Sequence, residues 1–110
     1  MSIDIKELKV LAVIPARGGS KGLPGKNLRL LNGHPLIYYM IKYAQASKYI
    51  SKVMVSTDDK KIADVAKNYD AEVPFLRPKE LAEDTTPLNP VLKHAMAYYD
   101  SIDWKANAVI

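Results

Sequence analysis

Arg17, Lys21, Lys26 and Arg29 fall within thirteen residues that contain no acid. The formal net charge of the chain is +4, so the whole excess sits in this one stretch, and acids and bases balance elsewhere. From Arg17 to Asn27 the sequence reads Arg-Gly-Gly-Ser-Lys-Gly-Leu-Pro-Gly-Lys-Asn, four glycines and a proline in eleven residues. Glycine lets the backbone approach a ligand closely and turn its N–H groups toward an anion. The Arg17 guanidinium and the ammonium groups of Lys21 and Lys26 supply the matching charge, enough together for a triphosphate. A diffuse basic surface would point to nucleic acid. A compact cluster in a glycine-rich loop points to a small anion instead, so no nucleic-acid partner is expected.

Two known phosphate motifs come close and fail. The Walker A pattern needs Gly-x-x-x-x-Gly-Lys-Ser/Thr, but its first glycine falls on Ser20 and its magnesium-binding hydroxyl on Asn27. The dinucleotide pattern Gly-x-Gly-x-x-Gly has Arg17 in its first place. A P-loop ATPase and a nicotinamide-dependent dehydrogenase are both disfavoured. Such a stretch can also be a plain connector with solvated lysines. Ordinary connections run to about 4–6 residues, however, and long structureless ones tend to carry function.

The elements that must position this loop are legible in the hydropathy. Residues 10–16, Val-Leu-Ala-Val-Ile-Pro-Ala, form a continuous apolar run, the mark of a parallel strand buried on both faces. The loop therefore leaves the carboxyl end of that strand, where open α/β sheets bind ligands. Asn32-Gly33 marks a turn, and Pro35 opens a helix that Leu36, Ile37, Met40, Ile41 and Ala44 carry to about Ser47. Residues 52–57 predict a second strand. Asp58 is placed to cap a helix over 59–69, with Ile62, Ala63 and Ala66 facing inward. Residues 72–76 predict a third strand, stopped by Pro78. A polar stretch over 79–90 leads to a helix over 90–102, and residues 108–110 open a fourth strand. This alternation predicts an α/β fold with three layers, a mostly parallel sheet between helices.

Composition bounds the remaining choices. Of the 110 residues, 48% are hydrophobic and 25% charged, which suits one globular domain and excludes disorder. The absence of cysteine excludes disulfide scaffolds, thiolate-held zinc and thiol catalysis. No apolar run approaches the ~20 residues of a membrane helix, and the acidic start Met-Ser-Ile-Asp is not a secretory signal. A cytoplasmic protein with no membrane partner is expected. The chain stops on Val109-Ile110 inside a strand pattern, so a fragment of a larger domain is expected. His34 and His94 lack ligand-spaced partners and are expected at the surface or rim. Tyr38, Tyr39, Tyr43, Tyr98 and Tyr99 are expected to pack on helices, Trp104 to cover a core edge, and Lys60-Lys61 to be solvated.

Three segments resemble the acylneuraminate cytidylyltransferase (CMP-sialic acid synthetase) family. Val13-Ile-Pro-Ala-Arg-Gly-Gly-Ser-Lys-Gly-Leu-Pro-Gly-Lys-Asn-Leu28 looks like its signature loop, Val55-Ser-Thr-Asp58 like its second-strand motif, and Leu76-Arg-Pro-Lys-Glu-Leu-Ala-Glu-Asp-Thr85 like its Arg-Pro-x-x-Leu-Ala-x-Asp-Thr segment. Related enzymes for 3-deoxy-manno-octulosonate tend to carry Arg-Leu-Pro-Gly-Lys-Pro where this chain has Lys21 to Asn27, which favours the nonulosonate branch.

The resemblance implies a Rossmann-like fold of the nucleotide-diphospho-sugar transferase type. Residues 1–110 would be the N-terminal nucleotide-binding portion of a single cytidylyltransferase domain, truncated and inactive alone. The implied reaction joins CTP and a free sugar acid to give a CMP-sugar and pyrophosphate, with Mg2+ as cofactor and a homodimer as the full-length state. By motif position, Arg17 and Lys26 are the implied catalytic cations. Gly18, Gly19, Ser20, Lys21 and Asn27 complete the implied CTP loop, and Arg77, Asp84, Thr85 and Thr86 lie near cytosine and ribose. Pro87 and Leu88 depart from the family, which often has a small hydroxyl residue there. The metal ligands are expected mainly beyond Ile110, although Asp58 is placed to approach the ion. Another sugar nucleotidyltransferase, or a naturally short nucleotide-binding module without catalysis, remain the alternatives.

Overall fold

The computed structural model describes residues 8–19, 26–83 and 86–110. In chain order it contains β1 (Val10–Pro15), β2 (Leu30–Leu31), β3 (His34–Pro35), α1 (Leu36–Gln45), β4 (Lys52–Ser56), α2 (Lys60–Asn68), α3 (Leu88–Ser101) and β5 (Ala108–Val109), with short 3-10 turns at Lys26–Leu28 and Lys79–Leu81. The main sheet has the order β4-β1-β5, and both pairings are parallel.

β1 is apolar throughout because its two faces feed two cores. Ala12 and Ile14 join Val53 and Val55 of β4 under Ile37 and Ile41 of α1 and Ile62 and Ala66 of α2. Leu11 and Val13 join Met54 on the opposite face, under Ala95 and Tyr99 of α3. Each fully buried isoleucine contributes about 1.5–3 kcal/mol. The three-layer arrangement read from the alternation is therefore present. Trp104 packs against the second core, as expected.

Three local expectations are corrected, whereas the expected turn at Asn32-Gly33 is present. Residues 72–76 do not form a strand. Glu72 alone bridges Met54: its N–H reaches the Val53 carbonyl, and its carbonyl accepts from Val55, both at 2.9 Å. Pro74 has no N–H with which to continue the ladder. The Asn32-Gly33 turn closes a β2–β3 hairpin. Both residues have positive φ (51° and 83°), as a two-residue primed turn requires, and Gly33 accepts this without strain. α3 starts at Leu88 rather than Pro90, because a proline in the first helical turn gives up only an orphan donor. Tyr43 does not pack but stands 86% exposed.

The capping of α2 is the correction that bears on function. The cap is Asp59, not Asp58: its Oδ1 accepts from the N–H groups of Lys61 (2.7 Å) and Ile62 (3.2 Å). Two consecutive aspartates make the choice invisible to local propensity, and it leaves the Asp58 carboxylate for other work.

Candidate functional site

β1 and β4 run in parallel register from Leu11↔Lys52 to Pro15↔Ser56. One further ladder bond, from Ala16 N–H to the Ser56 carbonyl (2.9 Å), carries the pairing into the loop. Residues 16–19 and 57–59 are thereby set side by side at the carboxyl edge of the sheet. There the Gly18 N–H donates to Asp58 Oδ1 at 2.9 Å. At the far end of the loop the buried Asn27 turns its Nδ2 back onto the Arg17 carbonyl at 3.2 Å. The loop is thus closed at its neck.

Arg77 arrives from the other side. Its backbone N–H donates to the Thr57 carbonyl at 2.6 Å. Its guanidinium donates from Nε to Ser56 Oγ (3.0 Å), from Nη2 to the Ser56 carbonyl (2.6 Å) and from Nη1 to the Leu81 carbonyl (3.1 Å). Arg77 is only 4% exposed, so it is no surface charge. Burial lowers its pKa from the ordinary arginine value; the Asp58 carboxylate opposes this and the Arg17 charge adds to it. Thr86 is held in its own turn: its hydroxyl accepts from Glu83 N–H (3.1 Å) and donates to the Glu80 carbonyl (3.4 Å).

Between these walls lies a cleft of about 240 Å³. Arg17, Gly19, Lys26, Asn27, Arg77 and Thr86 line it, joined by Pro15, Pro87, Leu88 and Val91. Residues sixty and more positions apart in sequence are brought together, and the lining combines cations and an amide with apolar residues. Gly18 does not line the cleft. A Cβ there would sit 2.5 Å from Asp59 Oδ2, so this glycine is required by close packing, whereas Gly19 has open space. Ser20, Lys21, Asp84 and Thr85 lie outside the described residues.

The sequence reading missed the apolar wall and the Asp58–Gly18 bond. Leu88 and Val91 stand three apart at the start of α3, a spacing that could have signalled the wall. His94 has its Nδ1 buried without a hydrogen-bond partner and sets its ring edge-on to Phe75. Among the described residues, no group of three or more His, Asp or Glu side chains could hold a metal ion. No described helix is long and apolar enough to cross a membrane.

This sheet edge, with a cationic loop after its strand β1, is the place where open α/β sheets bind ligands. A sequence profile described as cytidylyltransferase matches residues 11–102, and the chain belongs to that family. It is 57% identical over 79 residues to the CMP-N,N'-diacetyllegionaminic acid synthase of Legionella pneumophila, covering 72% of this chain and 34% of that protein. It is 43% identical over 91 residues to the N-acylneuraminate cytidylyltransferase of Escherichia coli, covering 83% of this chain and 22% of that one. Among solved structures, a CMP:2-keto-3-deoxy-manno-octonic acid synthetase complexed with CTP superposes with a TM-score of 0.70 at 29% identity, over 82% of this chain and 35% of the other. A cytidylyltransferase from Leptospira borgpetersenii gives 0.66 at 28% identity, over 86% and 38%. The chain thus spans between a fifth and two fifths of the length of these relatives.

Proposed function

We propose that the full-length protein transfers CMP from CTP to a nonulosonic, sialic-type sugar acid and releases pyrophosphate. The observation that carries this reading is the convergence of Arg17, Lys26 and Asn27 on one cleft at the carboxyl edge of a cytidylyltransferase sheet. The anomeric hydroxyl oxygen of the sugar forms a bond to the α-phosphorus and gives up its proton to solvent. The bond from that phosphorus to the bridging oxygen breaks, and pyrophosphate leaves with the electron pair. Negative charge grows on the α-phosphate oxygens and on the leaving group. The Arg17 guanidinium and the Lys26 ammonium are the cations that meet it, from a backbone fastened before the substrate arrives. Asn27 and Gly19 orient the triphosphate, with Ser20 and Lys21 from the same loop. Arg77, Asp84, Thr85 and Thr86 flank the nucleoside.

Mg2+ is the proposed cofactor, but the described residues do not form a site for it, and none of these steps depends on a protein-held ion. A homodimer in the cytoplasm completes the proposal. The high identity to synthases of nine-carbon acids favours such acids over 3-deoxy-manno-octulosonate as the acceptor. The test is to incubate the full-length gene product with CTP, Mg2+ and N-acetylneuraminate or related acids and to assay pyrophosphate. Release that requires the sugar acid supports the reading, and its absence with every nonulosonate tried refutes it. The 110-residue chain alone is expected to release none.

A further inference from the structure

We propose that Asp58 is a positioning residue for the phosphate-binding loop, its carboxylate holding the Gly18 amide so that Arg17 and Gly19 are presented to the cleft. The inference rests on the triphosphate reading of that cleft. Three consecutive residues are clamped at the neck of the loop. Ala16 donates its N–H to the Ser56 carbonyl at 2.9 Å. The Arg17 carbonyl accepts from Asn27 at 3.2 Å. Gly18 donates its N–H to Asp58 Oδ1 at 2.9 Å. Of these, only the Asp58 bond uses a side chain from outside the loop and its flanking turn.

Asp58 is available for this because Asp59 does the capping. The Asp59 N–H is itself held by the hydroxyl of the buried Thr57 at 3.1 Å, which fixes the direction in which the Asp58 side chain leaves the backbone. Gly18 then seats against Asp59 with no room for a Cβ, the nearest atom lying 2.5 Å from where one would stand. The loop is therefore docked on the 58–59 turn, not merely near it. The Gly18 N–H, spent on Asp58, is not a phosphate donor. Gly18 is needed for contact with the protein behind the loop, and Arg17 and Gly19, on either side of it, line the cleft. A displacement of about 1 Å in such groups costs up to two orders of magnitude in function, so the fastening has a measurable consequence.

The test measures binding of CTP and of inorganic tripolyphosphate to the full-length gene product and its variants, alongside thermal melts. Asp58→Ala is expected to weaken both ligands about tenfold, and Asp58→Asn, whose amide oxygen can still accept from Gly18, to stay within about threefold of wild type. Equal binding by wild type and Asp58→Ala overturns the proposal and leaves the triphosphate reading intact. An Asp58→Asn as weak as Asp58→Ala also overturns it, because charge and not the acceptor would then matter. Wild type that binds tripolyphosphate but not CTP refutes the cytidine reading alone, and wild type that binds neither refutes both. Should Asp58→Ala not fold, Gly18→Ala probes the same contact from the loop side. It is expected to weaken both ligands similarly, with Asp59→Gly in the same chain restoring binding by making room for the added methyl. Unchanged binding in Gly18→Ala overturns the proposal.

Discussion

Arg77 is anchored on Ser56 twice over, through Nε to the hydroxyl oxygen at 3.0 Å and Nη2 to the carbonyl at 2.6 Å, and both contacts are buried. With the third bond to Leu81, the guanidinium spends three of its five donors on the protein and acts as a strut between the end of β4 and the 3-10 turn at Lys79–Leu81. Arg77→Ala takes the guanidinium donor from Ser56 Oγ and the Leu81 carbonyl, while the Ser56 carbonyl keeps the Ala16 N–H; at about 1–3 kcal/mol for each acceptor left unsatisfied, a loss of roughly 3 kcal/mol in denaturant unfolding is expected. Lysine replaces the planar fork with a single ammonium and does not reproduce its three separate contacts. A loss below about 1 kcal/mol together with weakened CTP binding would make Arg77 a ligand residue instead.

Arg17→Ala and Lys26→Ala are expected to lower turnover of the full-length enzyme strongly. On the proposed reading each removes a cleft-lining cation that meets developing phosphate charge, where one lost donor costs on the order of 3–4 kcal/mol. Steady-state kinetics that leave both variants within about threefold of wild type reject the assignment.

CTP is expected to outcompete ATP and GTP. This follows from family membership, since Pro87, Leu88 and Val91 offer an apolar wall that reads no base edge. Competition binding decides it, and equal affinities for the three nucleotides would move the assignment to a different sugar nucleotidyltransferase.

Tyr99 supplies a pH-dependent element. Its hydroxyl donates to Glu72 Oε1 at 2.9 Å, and Glu72 Oε2 also pairs with Lys52 at 3.1 Å. Burial first, then the Glu72 hydrogen bond and charge, push the phenol well above its usual value of 10. The native state therefore holds a proton that the unfolded chain releases. This contribution is fully present below about pH 10 and is lost as pH rises toward the folded-state value. Urea unfolding of wild type should lose stability above about pH 10 more steeply than Tyr99→Phe. Identical slopes would show that the phenol titrates normally.

The elements legible in the sequence were those whose signals are local or periodic. β1 shows itself because both of its faces are buried, and the loop shows itself because no regular element tolerates its glycines. What escaped was decided by partners far along the chain. The choice of cap between Asp58 and Asp59 turned on Gly18, forty residues earlier. The burial of Arg77 turned on carbonyls it meets only after folding. The strand over 72–76 was overread because its hydropathy outweighed the donor missing at Pro74. Of the residues marked for the site, Arg17, Gly19, Lys26, Asn27, Arg77 and Thr86 meet at one cleft, whereas Gly18 serves behind it.

The strand order β4-β1-β5 also fixes a sequence of events in time. Among the described strands of this sheet, β1 is made before both of its neighbours, which follow about 41 and 98 residues later, as the Val10–Ser51 and Lys9–Asn107 bonds record. The cationic loop is thus synthesised long before anything exists to fasten it, while α1 and α2 can form from local contacts. Parallel pairing at such separation is slow compared with helix formation. The proposed nucleotide affinity would then be a late acquisition of the growing chain. A ligand that recognises only the assembled edge should retard unfolding and leave the folding rate unchanged, a division that stopped-flow experiments with and without CTP would expose.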